Sequence, residues 1–246
     1  MKVFGLIGFP LGHSFSQQYF TEKFIREGIT DCSFQIFPIS SIELLPELLQ
    51  NNTLLCGLCV TIPYKEQVLA YVDIQSAEVK AIGATNSIHF INNTLIAYNT
   101  DIIGFEQSFY KLLQPKHKKA LVLGTGGASK AVQFVLRKLG INYLIVTRSK
   151  EIATGEINYN QIDAFVMNEY NIIINCSPVG MYPGNNVMPA LPYEYVSKNH
   201  YFFDLVYKPA NTLFLQQGEK RGATTQNGFE MLVLQAEASW KIWNEG

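Results

Sequence analysis

The feature that most constrains the fold is an alternation of strand-like and helix-like segments along almost the whole chain. The strand-like segments are short and apolar, and they lie at 3–7, 32–37, 54–62, 120–123, 143–146, 172–175 and 202–206. The helix-like segments lie between and after them, at 14–27, 42–50, 65–71, 101–113, 128–139, 212–221 and 229–243. Strands separated by helices form parallel sheets with helices packed on their faces. The predicted fold class is therefore α/β.

One pair of strands departs from this alternation. Residues 87–91 and 94–98 alternate between apolar and polar side chains, and Asn92 and Asn93 stand between them. Asparagine tolerates the left-handed backbone that a two-residue hairpin turn requires. The pattern predicts an antiparallel hairpin in the first half of the chain.

A polar link at 114–119 separates two blocks of strands and helices and is the best candidate for a domain boundary. We expect two α/β lobes, the first ending near residue 101 and the second covering about 102–226. Periodicity alone leaves open whether the final helix stays with the second lobe or returns to the first.

Composition and charge exclude several broad classes of protein. The 246 residues are 48% hydrophobic and only 16% charged, which is too apolar a composition for a disordered chain. The 19 Lys and Arg residues against 20 Asp and Glu give a net charge of −1. A balance of this kind gives no support to a nucleic-acid partner held by a strong positive field.

Membrane insertion and secretion are not expected either. No apolar run approaches the roughly 20 residues of a membrane helix. The apolar start at 3–10 contains Gly5, Gly8 and Pro10, which is typical of a first buried strand and not of a signal peptide. Four cysteines in a chain of this length do not make a disulfide scaffold. We therefore expect a cytoplasmic protein with free thiols.

The sharpest local motif is an apolar strand that runs directly into a glycine-rich turn and then a helix, at 121–129. The small residues of the turn are Gly124, Gly126, Gly127, Ala128 and Ser129. A turn of this kind lets a pyrophosphate approach the backbone at the positive end of the helix. The alternative is a glycine turn that only packs the helix against the strand. The strand–turn–helix context favours a dinucleotide site.

The end of the following strand indicates which dinucleotide is preferred. NAD-binding units place Asp or Glu there, roughly 20 residues after the glycine turn, to hold the ribose 2′-hydroxyl. This chain has no carboxylate at that point and instead has two hydroxyls and two cations, on Thr147, Arg148, Ser149 and Lys150. Such groups suit a 2′-phosphate, so NADP is preferred over NAD. The alternative is a solvated basic loop.

A lysine and an aspartate are candidates for proton transfer. Lys65 follows the strand at 54–62, and Asp101 follows the hairpin strand at 94–98. The carboxyl ends of strands are where α/β sheets bind ligands. There a lysine could move a proton while an aspartate orients it. Most lysines are surface residues, so the residues alone leave this pairing open.

Two further patterns point to no chemistry. Cys56 and Cys59 form a C-x-x-C, but residues three apart in a strand point to opposite faces. Neither a redox pair nor half of a zinc site is expected from them. The spacing of the histidines does not fit a metal site. They are His13, His89, His117 and His200. No metal is expected.

Eight short motifs are distributed along nearly the whole chain. They lie at 8–16, 60–65, 83–87, 99–101, 124–129, 175–181, 204–209 and 227–235. The first looks like G-x-P-x-x-H-S-x-S and the second like V-T-x-P-x-K. Taken together, the motifs resemble those of the shikimate dehydrogenase family. The resemblance implies reversible reduction of 3-dehydroshikimate to shikimate with NADPH, a step of aromatic amino-acid biosynthesis.

The resemblance also implies roles for individual residues. The expected substrate contacts are Ser14, Ser16 and Tyr207 for the carboxylate, and Thr61, Asn86, Asp101 and Gln235 for the ring hydroxyls. Lys65 would be the acid/base residue, supported by Asp101. The cofactor would be NADP, bound by the glycine turn, the basic strand end and Gly228.

The family's fold has an N-terminal substrate-binding lobe and a Rossmann-like NADP-binding lobe, and its final helix returns to the first lobe. This implies a substrate-binding, catalytic domain at 1–101 plus 227–246 and an NADP-binding domain at 102–226. The implied partner is the small-molecule substrate. The expected protein is a monomer or a homodimer without a nucleic-acid or membrane partner.

The chain departs from the family's pattern at some positions. Cys59 stands where Asn is usual, Gln17 replaces a frequent Pro, and Ser87 replaces Thr. The segment after Lys150 is short and polar where the family usually has a helix. The short segment leaves the details of adenosine binding open, and Cys59 implies the loss of a polar contact in the substrate lobe or of a structural hydrogen bond.

Three alternative functions stay open at this point. Another dehydrogenase, acting on quinate or using NAD, is the nearest, but Ser14, Ser16 and Arg148 favour shikimate and NADP. A dinucleotide-sensing regulator without turnover would keep the glycine turn and lose Lys65 or Asp101, and both are present. A structural α/β module leaves the hydroxyl and amide residues at strand ends unexplained.

Overall fold

The computed structural model describes residues 1–12, 14–149 and 151–245. The chain divides into two compact units, Met1–Thr100 with Gln235–Gly246, and Asp101–Leu234. The predicted domain boundaries differ from the boundaries of these units at residue 101 and at 227–234. The division into a substrate-binding domain and an NADP-binding domain stays a prediction. Within the described ranges, no helix is both long and apolar enough to cross a membrane.

In the described residues of the first unit there are six strands and three complete α-helices. The strands are β1 (Lys2–Ile7), β2 (Cys32–Phe37), β3 (Leu55–Val60), β4 (Ile74–Gln75), β5 (Ser87–Ile91) and β6 (Thr94–Tyr98). The helices are α1 (Phe15–Glu27), α2 (Leu45–Asn51) and α3 (Ala77–Ile82). Ser14 caps α1 by accepting a hydrogen bond from the backbone of Gln17, and Gly28 ends the helix in the left-handed conformation with φ 66°.

The sheet of the first unit is mixed. Its strand order is β2-β1-β3-β5-β6-β4. β1 is parallel to β2 and β3, whereas β5 is antiparallel to β3 and β6. The reversal comes from the predicted hairpin, which is confirmed: Asn92 and Asn93 connect β5 to β6 with φ of 48° and 60°. These are the left-handed angles that a tight hairpin turn needs.

The part of the second unit that the structure describes also has six strands, all in one sheet. They are β7 (Lys119–Leu123), β8 (Asn142–Thr147), β9 (Glu156–Asn158), β10 (Ile172–Asn175), β11 (Tyr201–Asp204) and β12 (Thr224–Asn227). The helices are α4 (Asp101–Tyr110), α5 (Gly127–Lys138), α6 (Ala164–Glu169), α7 (Leu213–Glu219) and the first part of α8 (Phe229–Glu245).

Every strand pair of the second sheet is parallel. From one edge to the other the order is β9-β8-β7-β10-β11-β12. This is the 3-2-1-4-5-6 order of a doubly wound dinucleotide-binding sheet. The predicted α/β fold class, with a Rossmann-like second lobe, is confirmed.

The C-terminal part of α8 contributes to the core of the first unit. Trp240 and Trp243 pack on Phe4 with ring centroids 5.2 and 5.1 Å away. The indole Nε1 of Trp243 donates to the carbonyl of Ile88 at 3.0 Å. A methyl group placed on Gly57 would lie 2.6 Å from the Trp243 ring, so only glycine lets the helix approach this closely. The predicted return of the final helix is confirmed.

Several short elements of the structure were not predicted from the sequence. The segment after residue 150 contains β9 and α6, where we expected a polar stretch without a helix. β12 was also not predicted. β9 and β12 are edge strands of their sheet. An edge strand packs on a neighbour from one side only, so its sequence needs little of the apolar pattern that identifies central strands.

Candidate functional site

The glycine turn joins β7 to α5 in the second unit. Gly124 has φ 109°, a conformation that requires glycine. Gly126 is the N-cap of α5, and a methyl group placed on it would meet no atom of the described residues within 4 Å. Packing against neighbouring atoms therefore does not explain why residue 126 is a glycine. The open space beside its backbone fits the approach of a pyrophosphate to the N-terminus of α5, where Gly127 and Ala128 follow.

The turn lies at the point where the strand order of the sheet reverses. β7 has β8 on one side and β10 on the other, and the chain winds outward in both directions from it. A methyl group on Gly124 would lie 3.4 Å from the backbone nitrogen of Ser177, in the loop after β10. Ligands of open α/β sheets bind in the crevice at such a switch point.

The basic strand end lies at the carboxyl end of β8. Arg148 and Ser149 are exposed, whereas Thr147 is buried. The hydroxyl of Thr147 accepts a hydrogen bond from the backbone of Ser149 at 3.0 Å, and Asn158 donates to the carbonyl of Ser149 at 3.1 Å. These bonds hold the backbone and leave the Arg148 side chain on the surface. Lys150, also predicted here, lies outside the described residues.

Two further predicted residues lie near the carboxyl end of β11. Tyr207 is half-buried, and burial raises the pKa of its hydroxyl, which therefore stays a hydrogen-bond donor at neutral pH. Gly228 approaches the backbone after β11 so closely that a methyl group on it would lie 2.2 Å from the carbonyl oxygen of Leu205. This position admits only glycine.

A buried polar cluster lies in the first unit and joins the end of the hairpin to α8. Nδ2 of Asn86 donates to the hydroxyl of Thr100 at 2.9 Å and to Oε1 of Gln235 at 3.1 Å. Oδ1 of Asn86 accepts from the backbone of Thr100 at 2.6 Å. The hydroxyl of Thr100 also lies 2.9 Å from that of Ser239. The structure thus brings together two predicted substrate residues, Asn86 and Gln235.

Other predicted residues lie at strand ends of the first unit. Thr61 follows β3, and its backbone donates to the carbonyl of Ile7 at the end of β1 at 3.0 Å. The carbonyl of Lys65 accepts from the backbone of Thr85 at 2.8 Å, which ties the lysine to the residue that precedes Asn86. Both Thr61 and Lys65 are half-buried.

The remaining predicted residues lie at helix starts. Ser14 and Ser16 stand at the N-terminus of α1 and are half-buried. Asp101 is the buried first residue of α4 and is grouped with the second unit. Lys65 belongs to the first unit, and the pairing of Lys65 with Asp101 stays a prediction.

Sequence reasoning assigned no role to several buried polar residues that hold these sites. Thr100 and Ser239 support Asn86, and Asn175, Asp204 and Thr212 form a network in the second unit. The motifs at 99–101, 175–181 and 204–209 contain three of these residues. The sequence therefore singled these three out but indicated no role for them. Ser239 had no sequence signal, because its importance depends on lying one helical turn beyond Gln235.

A doubly wound parallel sheet with an open glycine turn at its switch point, together with a second α/β unit, defines a protein of the dinucleotide-binding class. Residues 6–88 match the family model described as "shikimate dehydrogenase substrate binding domain". This match covers the part of the first unit that contains α1, β3 and Asn86.

Full-length relatives extend this similarity to the whole chain. The chain is 35% identical to a shikimate dehydrogenase (NADP(+)) of Caldanaerobacter subterraneus, over 98% of this chain and 91% of that protein. It is 36% identical to one of Methanococcus maripaludis with the same coverage. A solved shikimate 5-dehydrogenase from Thermus thermophilus, in complex with NADP(H) and shikimate, is 29% identical with a TM-score of 0.88, covering 100% of this chain and 94% of that one. The chain belongs to the shikimate dehydrogenase family.

Proposed function

We propose that this protein catalyses the reversible reduction of 3-dehydroshikimate to shikimate with NADPH. The observation that carries the proposal is the bonded pair Asn86 and Gln235, which places neutral donors and acceptors together in the first unit of a chain of this family. A polyhydroxy acid needs such partners for its hydroxyl groups. We also propose a cytoplasmic protein that is a monomer or a homodimer.

The second unit would hold the dinucleotide. NADPH supplies the hydride when bound. The backbone of 124–128 would hold the pyrophosphate at the N-terminus of α5, in the open space beside Gly126. Thr147, Arg148 and Ser149 at the end of β8 would hold the 2′-phosphate, with Lys150 added from the sequence. Gly228 would contribute its backbone next to Leu205.

The substrate carboxylate would be held by hydroxyl groups. Ser14 Oγ accepts from the Gln17 backbone at 3.3 Å, which leaves its own proton available for donation. Ser16 lies in the first turn of the same helix, where the helix dipole favours an anion. Tyr207 would add a third hydroxyl. Thr61, Asn86, Asp101 and Gln235 would bind the ring hydroxyls.

Lys65 would transfer the proton. In the reducing direction its ammonium group would donate a proton to the carbonyl oxygen of the substrate, and in the oxidising direction its amine would take the proton back. Asp101 would orient the lysine and the reacting hydroxyl. The bond from Thr85 to the carbonyl of Lys65 fixes the backbone from which this side chain extends.

The test is a spectrophotometric assay of NADPH formation by the purified chain. Shikimate or quinate is supplied, each with NADP or NAD. We expect turnover with shikimate and NADP and little with the other pairs. Preference for quinate or NAD would move the protein to the sister activity. Binding of a dinucleotide without turnover of any pair would contradict the proposal and favour a sensing role.

A further inference from the structure

A buried carboxylate at the carboxyl end of β11 is not used by the proposed mechanism. Asp204 is fully buried, and so are its partners Asn175 and Thr212. Its Oδ1 accepts from Nδ2 of Asn175 at 2.9 Å and from the backbone of Val206 at 3.0 Å. Its Oδ2 accepts from the hydroxyl of Thr212 at 2.6 Å. The carboxylate therefore has three donors, each from a different segment of the second unit.

The first two donors each lead into a loop. Residues 176–180, here named the serine loop, follow β10, and residues 205–209, here named the tyrosine loop, follow β11. Asn175 and Asp204 are register partners at the ends of these two parallel strands. One carboxylate oxygen thus joins the starting points of both loops.

The connection to the serine loop continues through Asn175. Its Oδ1 accepts from the backbone of Ser177 at 3.1 Å and from the Ser177 hydroxyl at 2.7 Å. Its Nδ2 donates to the carbonyl of Val179 at 3.1 Å, in addition to Asp204. Ser177 in turn lies against Gly124 in the glycine turn, where a methyl group would be 3.4 Å from its backbone nitrogen.

The connection to the tyrosine loop runs through the backbone. Val206 donates to Asp204, and the carbonyl of Val206 accepts from Gly228 at 3.3 Å. Tyr207 follows directly. The serine loop approaches the glycine turn at the switch point, and the tyrosine loop follows the neighbouring strand, with Asp204 at the end of that strand. A carboxylate that fixes two loops at once acts on the shape of the crevice without touching a ligand.

We propose that Asp204 is a positioning residue for the dinucleotide, holding the serine loop through Asn175 and the tyrosine loop through Val206. This inference rests on the proposed function in taking NADP(H) as the ligand of the crevice. The role of Asp204 depends on accepting hydrogen bonds and not on contact with the cofactor.

The ionisation of the carboxyl is consistent with this role. Burial raises the pKa of Asp204 to about 6, while the bonds from Thr212, Val206 and Asn175 lower it and offset part of that effect. The group is therefore mostly ionised at neutral pH and accepts from all three donors. An asparagine at this position would keep one acceptor oxygen, which serves Asn175 and Val206, and its NH2 group would face Thr212.

The experiment compares Asp204→Ala and Asp204→Asn with the wild-type chain. The dissociation constant for NADPH is measured by fluorescence titration without substrate, and KM values for NADP and shikimate are measured in the assay. We expect Asp204→Ala to raise the NADPH dissociation constant and the KM for NADP by about tenfold, the effect of one hydrogen bond lost when the serine loop is no longer held. The KM for shikimate should rise as well, because the tyrosine loop carries Tyr207, the third hydroxyl proposed for the substrate carboxylate. Asp204→Asn should retain most of the affinity.

The matched control is His200→Ala. His200 is buried at the amino end of the same strand, and its ring accepts from the backbone of Ser197 at 3.0 Å. Removal of the His200 side chain should destabilise the same unit. It does so at the amino ends of the strands, whereas the crevice is at their carboxyl ends. Thermal melts establish that each variant is folded. We expect His200→Ala to lower the melting temperature and to leave the NADPH dissociation constant unchanged.

A second variant serves if Asp204→Ala does not fold. Ser177→Ala removes the 2.7 Å bond from the Ser177 hydroxyl to Asn175 and leaves the backbone bond of Ser177, so it should weaken NADPH binding to a smaller extent than Asp204→Ala. Where both variants fold, the effects of the two substitutions should be less than additive in the double variant, since both act on the same connection.

Three outcomes would overturn the inference. They are wild-type NADPH affinity in Asp204→Ala, equal weakening in His200→Ala, and a loss in Asp204→Asn as large as in Asp204→Ala. The direct titration separates this inference from the proposed function. A wild-type chain that binds NADPH but does not oxidise shikimate would contradict the function and leave the test of Asp204 valid.

Discussion

Asn86 donates a hydrogen bond of 3.1 Å to Oε1 of Gln235, although 149 positions of sequence separate the two residues. The backbone N–H of Thr100, which can only donate, fixes the orientation of the Asn86 amide by binding its Oδ1 at 2.6 Å. Nδ2 of Asn86 must then face Gln235, and Gln235 must accept with its oxygen. The other end of the Gln235 amide is its donor, Nε2, and under the proposed function this group would donate to a ring hydroxyl of the substrate.

Replacing Gln235 with Glu tests this fixed polarity. One carboxylate oxygen can still accept from Asn86, but the other cannot donate to a ring hydroxyl. We expect the KM for shikimate to rise about tenfold, as is typical for one lost hydrogen bond of 1–2 kcal/mol. The NADPH dissociation constant should not change, because Gln235 belongs to the first unit. An unchanged KM for shikimate would contradict the assigned polarity.

Lys65→Ala tests the proton-transfer residue. Loss of a positioned acid/base group lowers turnover by about 10²- to 10⁴-fold. We expect kcat to fall within or beyond this range while NADPH still binds, as measured by steady-state kinetics and by direct titration. Lys80→Ala is the control, because Lys80 is an exposed lysine at the end of α3 in the same unit. Activity like that of the wild type in Lys65→Ala would eliminate the proposed role.

Arg148→Ala tests the preference for NADP. The exposed guanidinium at the end of β8 would bond the 2′-phosphate, and a charge-assisted bond of 1.5–3 kcal/mol corresponds to about 10- to 100-fold in affinity. We expect the dissociation constant for NADPH to rise by this factor and that for NADH to change little. Arg137→Ala, at the other end of α5, should affect neither. Equal weakening of both dinucleotides would remove the 2′-phosphate argument.

How much the sequence predicts depends on the range of the interaction. Gly28 at the end of α1 and Asn92 in the hairpin turn were predictable, because a local backbone conformation demands those residue types. The bonds of Asp204 to Asn175 and of Thr100 to Ser239 were not, because they exist only once separate strands and helices are in register. The pairing of Lys65 with Asp101 depends on such long-range placement as well, and it stays a prediction.

Gly57→Ala tests the packing of α8 on the first sheet. A methyl group at this position would lie 2.6 Å from the ring of Trp243, so the indole must shift away from Phe4 and from the carbonyl of Ile88. Overpacking of this kind lowers the free energy of unfolding by about 1–3 kcal/mol. Urea denaturation measures the change. Gly184→Ala is the control, since a methyl group there would come no closer than 3.6 Å to its neighbour.

The buried His200 predicts a dependence of stability on pH. Burial lowers the pKa of His200 below its ordinary value of 6.5, and nearby Lys116 lowers it further, while bonds to the backbone of Met167 and Ser197 act in the opposite direction. The unfolded chain therefore binds a proton at a higher pH than the folded chain does. The stability that neutral His200 contributes is complete above pH 6.5 and is lost as pH falls from there through the lower folded-state pKa.

The measurement is the difference in the free energy of unfolding between the wild-type chain and His200→Gln, a variant that cannot titrate at this position. Contributions from the other ionisable groups largely cancel in this difference. We expect the wild type to be more stable above pH 6.5, because His200 bonds the backbones of Ser197 and Met167. The advantage should shrink steadily toward pH 5, since the unfolded histidine gains a proton that the folded one resists. A difference that stays constant or grows on acidification would show that His200 is not held neutral in the folded protein.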